Sequence, residues 1–365
     1  MMKGAVSDVS EAIGNTPIVR LNRLSAGLKA NIYCKLGYMN PGGSMKDRIA
    51  LNIINEAEKR GDLKSGGTIV EATSGNTGMG LAMIGALRGY KCIFVMPDKQ
   101  SMEKVKALRA AGAKVVITPT DVEPEDPRSY YSVSRRIADE TPGAFYANQY
   151  HNLDNTEAHY KMTGPEIWEQ TGGEIDVFVA GLGTGGTISG TGSFLKEQNP
   201  EIKLVGVDVN GSVYYDFWKT GDIVPAYSYK VEGIGEDFFP TTINLSIIDD
   251  IVQLSDKECF DTTRSLARVE GLYTGGSGGA AVLGAIRYAE RIDRPANIVV
   301  LLPDSASRYL NKIFDDDWMR ENGFLDPEHA LGTIRDLLAH KPPQVFTVGK
   351  DHKIRDVIEL MKAEG

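Results

Sequence analysis

A lysine at the start of a helix invites a chemical question. The stretch N-P-G-G-S-M-K-D-R at 40–48 puts Lys46 behind a Pro-Gly-Gly-Ser turn, in the predicted first turn of a helix. The positive end of the helix dipole disfavours an ammonium there. In the plain reading Lys46 is solvated and pairs with Asp47 or a nearby glutamate, the ordinary state of an exposed lysine. In the chemical reading its amine is screened from water, kept neutral, and acts as nucleophile or base. Four further turns carry groups that could hold a ligand. T-S-G-N-T-G at 73–78 offers hydroxyls and bare amides to a carboxylate, or is an ordinary helix cap with turn glycines. G-L-G-T-G-G-T at 181–187 contains G-x-G-x-x-G as Gly181, Gly183 and Gly186. Asp208 follows about twenty residues on, as a dinucleotide fingerprint asks. Thr184 and Thr187 suit a single terminal phosphate at a helix N-terminus equally well, and spacing does not choose between the two. G-G-S-G-G at 275–279 reads as close helix packing ahead of ligand contact. P-D-S-A-S at 303–307 sets Ser305 at the carboxyl edge of a sheet, where capping the next helix is the simpler role.

The elements that must position these turns alternate. Apolar runs at 68–72, 91–97, 113–118, 176–181, 203–208 and 297–303 read as buried strands, separated by helix-like stretches such as Asn76 to Leu87 and Ser101 to Gly112. Gly112 is the predicted helix C-cap. Buried strands separated by helices predict βαβ units, so the fold class is α/β, with open, twisted, mostly parallel sheets, two in number. In such sheets ligands sit at the carboxyl ends of the strands, where the glycine-rich turns lie. The acidic, proline-rich stretch 119–127 is a predicted surface loop. Pro342-Pro343 stops a helix, after which Q-V-F-T-V and an amphipathic I-R-D-V-I-E-L-M-K-A begin what reads as another module.

Composition narrows the classes. A net charge of -9 over 365 residues argues against a broad nucleic-acid surface. No apolar run is long enough to span a bilayer, and no secretory signal is seen at the start of the sequence. The 3 cysteines, Cys34, Cys92 and Cys259, form no metal or disulfide spacing, which reads as a cytoplasmic, reduced protein. His151, His159, His329, His340 and His352 show no metal spacing, so no metal is expected. Neither a G-x-S-x-G nucleophile elbow nor a P-loop can be aligned.

Together the motifs resemble the fold-type II pyridoxal-phosphate enzymes of the cysteine synthase and cystathionine β-synthase family. The resemblance covers about residues 8 to 325 and rests on I-G-N-T-P-I-V-R-L at 13–21, N-P-G-G-S-M-K-D-R, T-S-G-N-T-G, G-T-G-G-T, G-G-S-G-G and P-D-S in that order. It implies that the cofactor sits in a cleft between the two sheets, and that Lys46 is its Schiff-base lysine and the catalytic residue. It implies that Gly183, Thr184, Gly185, Gly186 and Thr187 hold the phosphate, Asn76 the phenolic oxygen, and Ser305 the pyridine nitrogen. Thr73, Ser74, Gly75, Thr77, Gln149 and Gly233 would grip the substrate. A neutral hydroxyl at the ring nitrogen makes a weaker electron sink than a carboxylate, which suits elimination at Cβ. The implied reaction is β-replacement through an aminoacrylate, with Lys46 moving the α-proton and helping to protonate the leaving group.

The stretches 206–212, 231–242 and 314–325 tilt the reading toward the branch that joins serine and homocysteine into cystathionine, ahead of cysteine synthesis from O-acetylserine and sulfide or release of hydrogen sulfide. By the same resemblance, 41–147 is a smaller mobile substrate-side domain. Residues 1–40 and 148–330 form the larger cofactor-binding domain, 331–343 a linker, and 344–365 the start of a truncated regulatory module of the Bateman type. No haem is expected, because no haem-binding extension precedes the core. The expected partners are small amino-acid and thiol substrates and a second copy in a homodimer, with no nucleic acid or membrane. Two other classes stay open: a nicotinamide-dependent oxidoreductase built on the glycine fingerprint and Asp208, and a non-catalytic binding protein that keeps the fold.

Overall fold

Two sets of buried strands build two sheets. The computed structural model describes residue 2 and residues 4–123, 125–326 and 350–364. In chain order the elements are β1 (Ile18–Arg20), β2 (Asn31–Leu36), α1 (Lys46–Arg60), β3 (Thr68–Ala72), α2 (Asn76–Arg88), β4 (Lys91–Pro97), α3 (Met102–Ala110), β5 (Lys114–Thr118), α4 (Tyr130–Glu140), β6 (Ala144–Tyr146) and α5 (Asp154–Ala158). They continue with α6 (Gly164–Thr171), β7 (Val177–Gly181), α7 (Gly186–Gln198), β8 (Lys203–Val209), α8 (Tyr214–Thr220), β9 (Asp250–Leu254), α9 (Asp256–Ser265), α10 (Gly276–Ala289), β10 (Asn297–Leu302) and α11 (Asp316–Glu321). The six strands predicted between 68 and 303 form, within a residue or two of their expected ends. Gly112 lies one residue beyond the cap of α3, which is Ala111.

The larger sheet runs β1-β2-β10-β7-β8-β9, parallel except for the antiparallel β1. The smaller runs β5-β4-β3-β6 and is parallel throughout. Strands covered on both faces become continuous apolar runs: every residue of β3 is buried, and so are all of β10 except Asn297. Helix α1 lays Ile49, Ile53, Ile54 and Ala57 into a core shared with Ile69, Leu81 and Phe94. A second core joins Phe178, Leu182, Ile188, Leu204 and Val299 around the larger sheet. Fully burying one such side chain contributes about 1.5–3 kcal/mol.

Strand order decides where a ligand can sit. In the larger sheet the chain runs outward from β7 through β8 to β9, while β10 lies on the other side of β7. The loops leaving β7 and β10 therefore diverge, and a crevice opens between them. In the smaller sheet β3, β4 and β5 run one way and β6 pairs with the opposite edge of β3, so the loops after β3 and β6 diverge too. These are the loops that carry 181–187, 303–307, 73–78 and Gln149.

The chain divides into two units, Met1–Phe324 and Leu325–Gly365. In the second, the described residues carry a helix at Ile354–Glu364 with Ile354, Ile358 and Met361 exposed. The expected linker at 331–343 and the strand-like 344–348 lie outside the described residues.

Candidate active site

Lys46 opens α1, and the loop before it is stitched to the end of β10. The Met45 amide donates to the Pro303 carbonyl at 2.8 Å, and Ser44 pairs with Asp304 as an isolated bridge. The Lys46 amide donates to Ser44 Oγ at 3.2 Å. Asp47, the partner offered by the plain reading, accepts the Gly42 amide at 2.5 Å instead. The Lys46 Nζ makes no hydrogen bond or ion pair among the described residues. Burial pushes its ammonium down to about 8, while the charges of Glu236 and Asp304 pull the other way. The amine is thus within reach of its free form near neutral pH, and it lines a cleft with Asn76, Gln149, Thr184 and Glu236.

The far wall is the 181–187 turn. Gly185 caps α7 with φ +81°, and a Cβ there would lie 2.2 Å from Ile243 Cβ. Only glycine satisfies both the backbone and the space. The first amides of α7 have no intrahelical acceptor. Thr184 Oγ1 accepts from Asn155 Nδ2 at 3.1 Å, and Thr187 Oγ1 lies 3.2 Å from His159 Nε2. Burial holds the His159 imidazole neutral, well below the usual histidine range, and the charges of Lys46 and Arg48 act in the same direction. The Tyr214 hydroxyl donates to the Gly183 carbonyl at 2.7 Å. This wall offers amides, hydroxyls and the positive end of a helix to an anion.

The smaller sheet supplies the opposite side. Ser74, Asn76, Thr77 and Gln149 line the cleft. Thr77 Oγ1 donates to Gln149 Oε1 at 2.6 Å, and Gln149 Nε2 donates to the Ala72 carbonyl at 2.9 Å. Asn76 Nδ2 donates to Asp304 Oδ2 at 2.8 Å, and its Oδ1 accepts from Arg308. Thr73 turns inward: its Oγ1 accepts the Gly75 and Gly78 amides at 2.9 and 3.2 Å. Gly75 lines a separate depression with Lys104 and Arg308.

The cleft therefore gathers Lys46, Ser74, Asn76, Thr77, Gln149, Gly183, Thr184, Gly185, Thr187 and Gly233. Thr73, Gly75, Gly186 and Ser305 are not among its lining residues. Ser305 accepts the Ser307 amide at 3.3 Å as the N-cap of a short 3₁₀ turn, its simpler role. Its neighbour Asp304 is the buried member of the tripeptide, accepting from Asn76 and, at 2.6 Å, from the Tyr309 hydroxyl. The G-G-S-G-G turn does both things expected of it. A Cβ at Gly279 would stand 2.0 Å from Thr263 Oγ1, while Ser277 faces the cleft. Asp208 is fully buried and accepts the Tyr215 amide at 3.0 Å, so it presents no carboxylate to a ribose. Glu236, Tyr150, His159 and Asp304 belong to or border the site and carried no spacing signal. For Glu236 the one available clue was two adjacent acids in the G-I-G-E-D-F-F run. Among the described residues no group of side chains could hold a metal ion, and no helix is long and apolar enough to cross a membrane.

Comparison with known proteins places this arrangement. A family model described as "Pyridoxal-phosphate dependent enzyme" matches residues 9–304. The chain is 47% identical over 322 residues to a cystathionine beta-synthase of Apis mellifera, covering 88% of this chain and 64% of the bee protein. The chain thus spans less than two thirds of that relative's length. Among solved structures it is similar to the O-acetylserine dependent cystathionine beta-synthase from Helicobacter pylori, at 38% identity and TM-score 0.78, covering 86% of this chain and 99% of that one. It is also similar to a hydrogen sulfide-producing enzyme from Fusobacterium nucleatum, at 38% identity and TM-score 0.77, covering 84% of this chain and 100% of that one.

Proposed function

This chain belongs to the pyridoxal-phosphate dependent enzymes of fold type II, and we propose that it joins L-serine and L-homocysteine into L-cystathionine with release of water. The observation that carries the reading is one cleft with an unpaired, water-screened lysine amine on one side and a glycine-lined helix N-terminus on the other. The residues fit the cofactor. The first-turn amides and the hydroxyls of Thr184 and Thr187 suit a phosphate, glycine at 183 and 185 lets the turn pack against Gly233 and Ile243, and Lys46 offers a nucleophile for an aldehyde carbon.

When bound, the cofactor supplies an electron sink that loosens bonds at Cα and Cβ of the amino acid. On this reading Lys46 holds it covalently through Nζ, and Gly183, Thr184, Gly185, Gly186 and Thr187 hold its phosphate. Asn76 would meet the phenolic oxygen with the second N–H of its amide, and Ser305 would meet the ring nitrogen with its hydroxyl proton, beside the partners each has here. With the amino acid in place, the Lys46 amine would take the proton from Cα and later return it. Ser74, Thr77 and Gln149, with the turn amides set by Thr73 and Gly75, hold the substrate carboxylate, and Gly233 borders the entry. The Thr77–Gln149 hydrogen bond orients both groups before substrate arrives.

A second reading takes O-acetylserine first or releases sulfide, after the O-acetylserine dependent and hydrogen sulfide-producing bacterial enzymes to which the chain is similar. Serine and O-acetylserine, each offered with homocysteine and with sulfide, separate the two. Cystathionine from serine and homocysteine as the main product supports the proposal. Cysteine from O-acetylserine and sulfide, with serine inert, replaces it with the second reading. The homodimer and the regulatory module at 344–365 remain part of the proposal. Sedimentation tests the first.

A further inference from the structure

Glu236 stands where the Lys46 cleft opens into a wider groove. It lines both, together with Ser74, Tyr150 and Gly233. A second substrate approaching through the groove passes Glu236 before it reaches the inner wall with Lys46. The groups that face it come from several elements. Asp237 follows it in the same loop, Lys99 comes from beyond β4, Lys46 from α1 and the Tyr131 hydroxyl from α4. Tyr130, Tyr150, Tyr214 and Tyr229 also surround it. Burial keeps their hydroxyls protonated.

We propose that Glu236 is the acid–base group at Cβ in both halves of the replacement, leaving Lys46 the proton at Cα. The inference rests on the β-replacement reading above. In the first half, Lys46 takes the Cα proton and the Cα–H pair becomes the second Cα–Cβ bond. The Cβ–O bond breaks with its pair on oxygen, and the Glu236 proton passes to that oxygen, so water leaves and a carboxylate remains. In the second half, the thiol S–H proton passes to the Glu236 carboxylate. A sulfur lone pair forms the S–Cβ bond, the second Cα–Cβ pair moves to Cα, and Lys46 returns its proton there. Glu236 ends as it began, and the net change is Cβ–O and S–H for Cβ–S and O–H. No outside reductant or oxidant is needed.

The electrostatics agree with this cycle. Burial, reinforced by Asp237, pushes the Glu236 carboxyl up to about 8, which favours its protonated form, while Lys99, Lys46 and Tyr131 moderate the effect. Hydroxide is a poor leaving group unless protonated, whereas acetate leaves without help. A poised carboxylic acid at Cβ therefore selects a hydroxyl amino acid as the first substrate.

The test uses the purified, cofactor-loaded enzyme in a single turnover without thiol, read as pyruvate released on acid quench. In Glu236→Gln, elimination from serine is expected to fall by about 10²-fold or more, the contribution of a general acid, and elimination from O-acetylserine by less than about 10-fold. Glu236→Asp, which keeps a carboxyl, should regain at least about 10-fold with serine. An infrared difference spectrum, wild type minus Glu236→Gln with labelled glutamate, should show a carboxyl still protonated at neutral pH. Equal losses with both amino acids, no recovery in Glu236→Asp, or a carboxyl already ionised at neutral pH overturns the inference. A wild-type enzyme that eliminates from neither amino acid overturns the β-replacement reading with it.

Discussion

Arg48 and Glu166 meet in two parallel hydrogen bonds, Nη1 to Oε2 at 2.7 Å and Nη2 to Oε1 at 2.8 Å. The same carboxylate accepts the Asn15 and Thr16 amides at 2.8 and 2.9 Å and pairs with buried Lys35. Lys35 Nζ also donates to the Thr16 carbonyl at 2.6 Å. Two motifs far apart in sequence, I-G-N-T-P and K-D-R, thus converge on one glutamate of α6. The joint fixes the start of α1, and with it the backbone of Lys46.

Glu166→Gln leaves two buried cations short of their counter-charge. It is expected to destabilise the fold by about 3–5 kcal/mol, the cost of breaking a buried pair from one side, read as a shift in urea unfolding. Burial alone would push the Glu166 carboxyl up, but Arg48 and Lys35 outweigh it and hold it at about 2, against an ordinary 4.5. A folded pKa below the unfolded one contributes stability that is present above about pH 4.5 and is lost as pH falls toward 2. The wild type should therefore lose stability across that window more steeply than Glu166→Gln does.

The Lys46 amine sets a pH profile for cofactor capture. Its free form attacks, and burial places its midpoint near 8 against an ordinary 10.5. The rate at which cofactor-free protein takes up pyridoxal phosphate should rise with pH to about 8 and then level. Stopped-flow absorbance reads this. A rate still climbing tenfold per pH unit beyond 9, as for about an unperturbed lysine, would mean the amine is not screened.

Lys104, on α3, is buried against Glu232, which also holds Lys312 at 2.6 Å. The Lys104 Nζ further reaches the Tyr309 hydroxyl at 3.3 Å and lies over its ring. This network ties α3, behind the 73–78 turn, to the loop that carries Gly233 and Glu236. Glu232→Gln should cost about 3–5 kcal/mol in thermal or urea unfolding. The double change Glu232→Leu with Lys104→Met should recover most of that loss, because an apolar pair of similar volume replaces a buried ion pair at little cost.

Ser305 has one role in view and another proposed. As a cap alone, Ser305→Ala would cost about 1 kcal/mol of stability and leave the bound cofactor's spectrum unchanged. The proposed role at the ring nitrogen predicts more. Ser305→Asp should shift the cofactor's absorption and lower turnover, because a carboxylate there changes the electron sink.

Much of the scaffold was legible because parallel strands covered on both faces read as unbroken apolar runs, as in T-I-V-E-A and N-I-V-V-L-L. The turns were legible because amide-rich loops at strand ends need glycine and hydroxyl residues. Strand order was not legible: that β10 lies beside β7, and β6 beside β3, depends on contacts across the whole chain. The same limit hid Asp304 beneath Asn76, His159 beneath Thr187, and Glu236 at the mouth of the cleft. Asp208 shows the converse. Its spacing suited a dinucleotide, but its carboxylate is buried at the start of α8. Spacing along a chain does not report which way a side chain faces.

The most direct test of the account is where the cofactor is attached. The purified protein would be reduced with borohydride, digested and mapped by mass. With the cofactor on Lys46, the yellow colour is lost and a phosphopyridoxyl group is found on Lys46, with none in Lys46→Ala under the same loading. A phosphopyridoxyl group on Lys35, Lys104 or another lysine, or no covalent attachment with β-replacement intact, would contradict it.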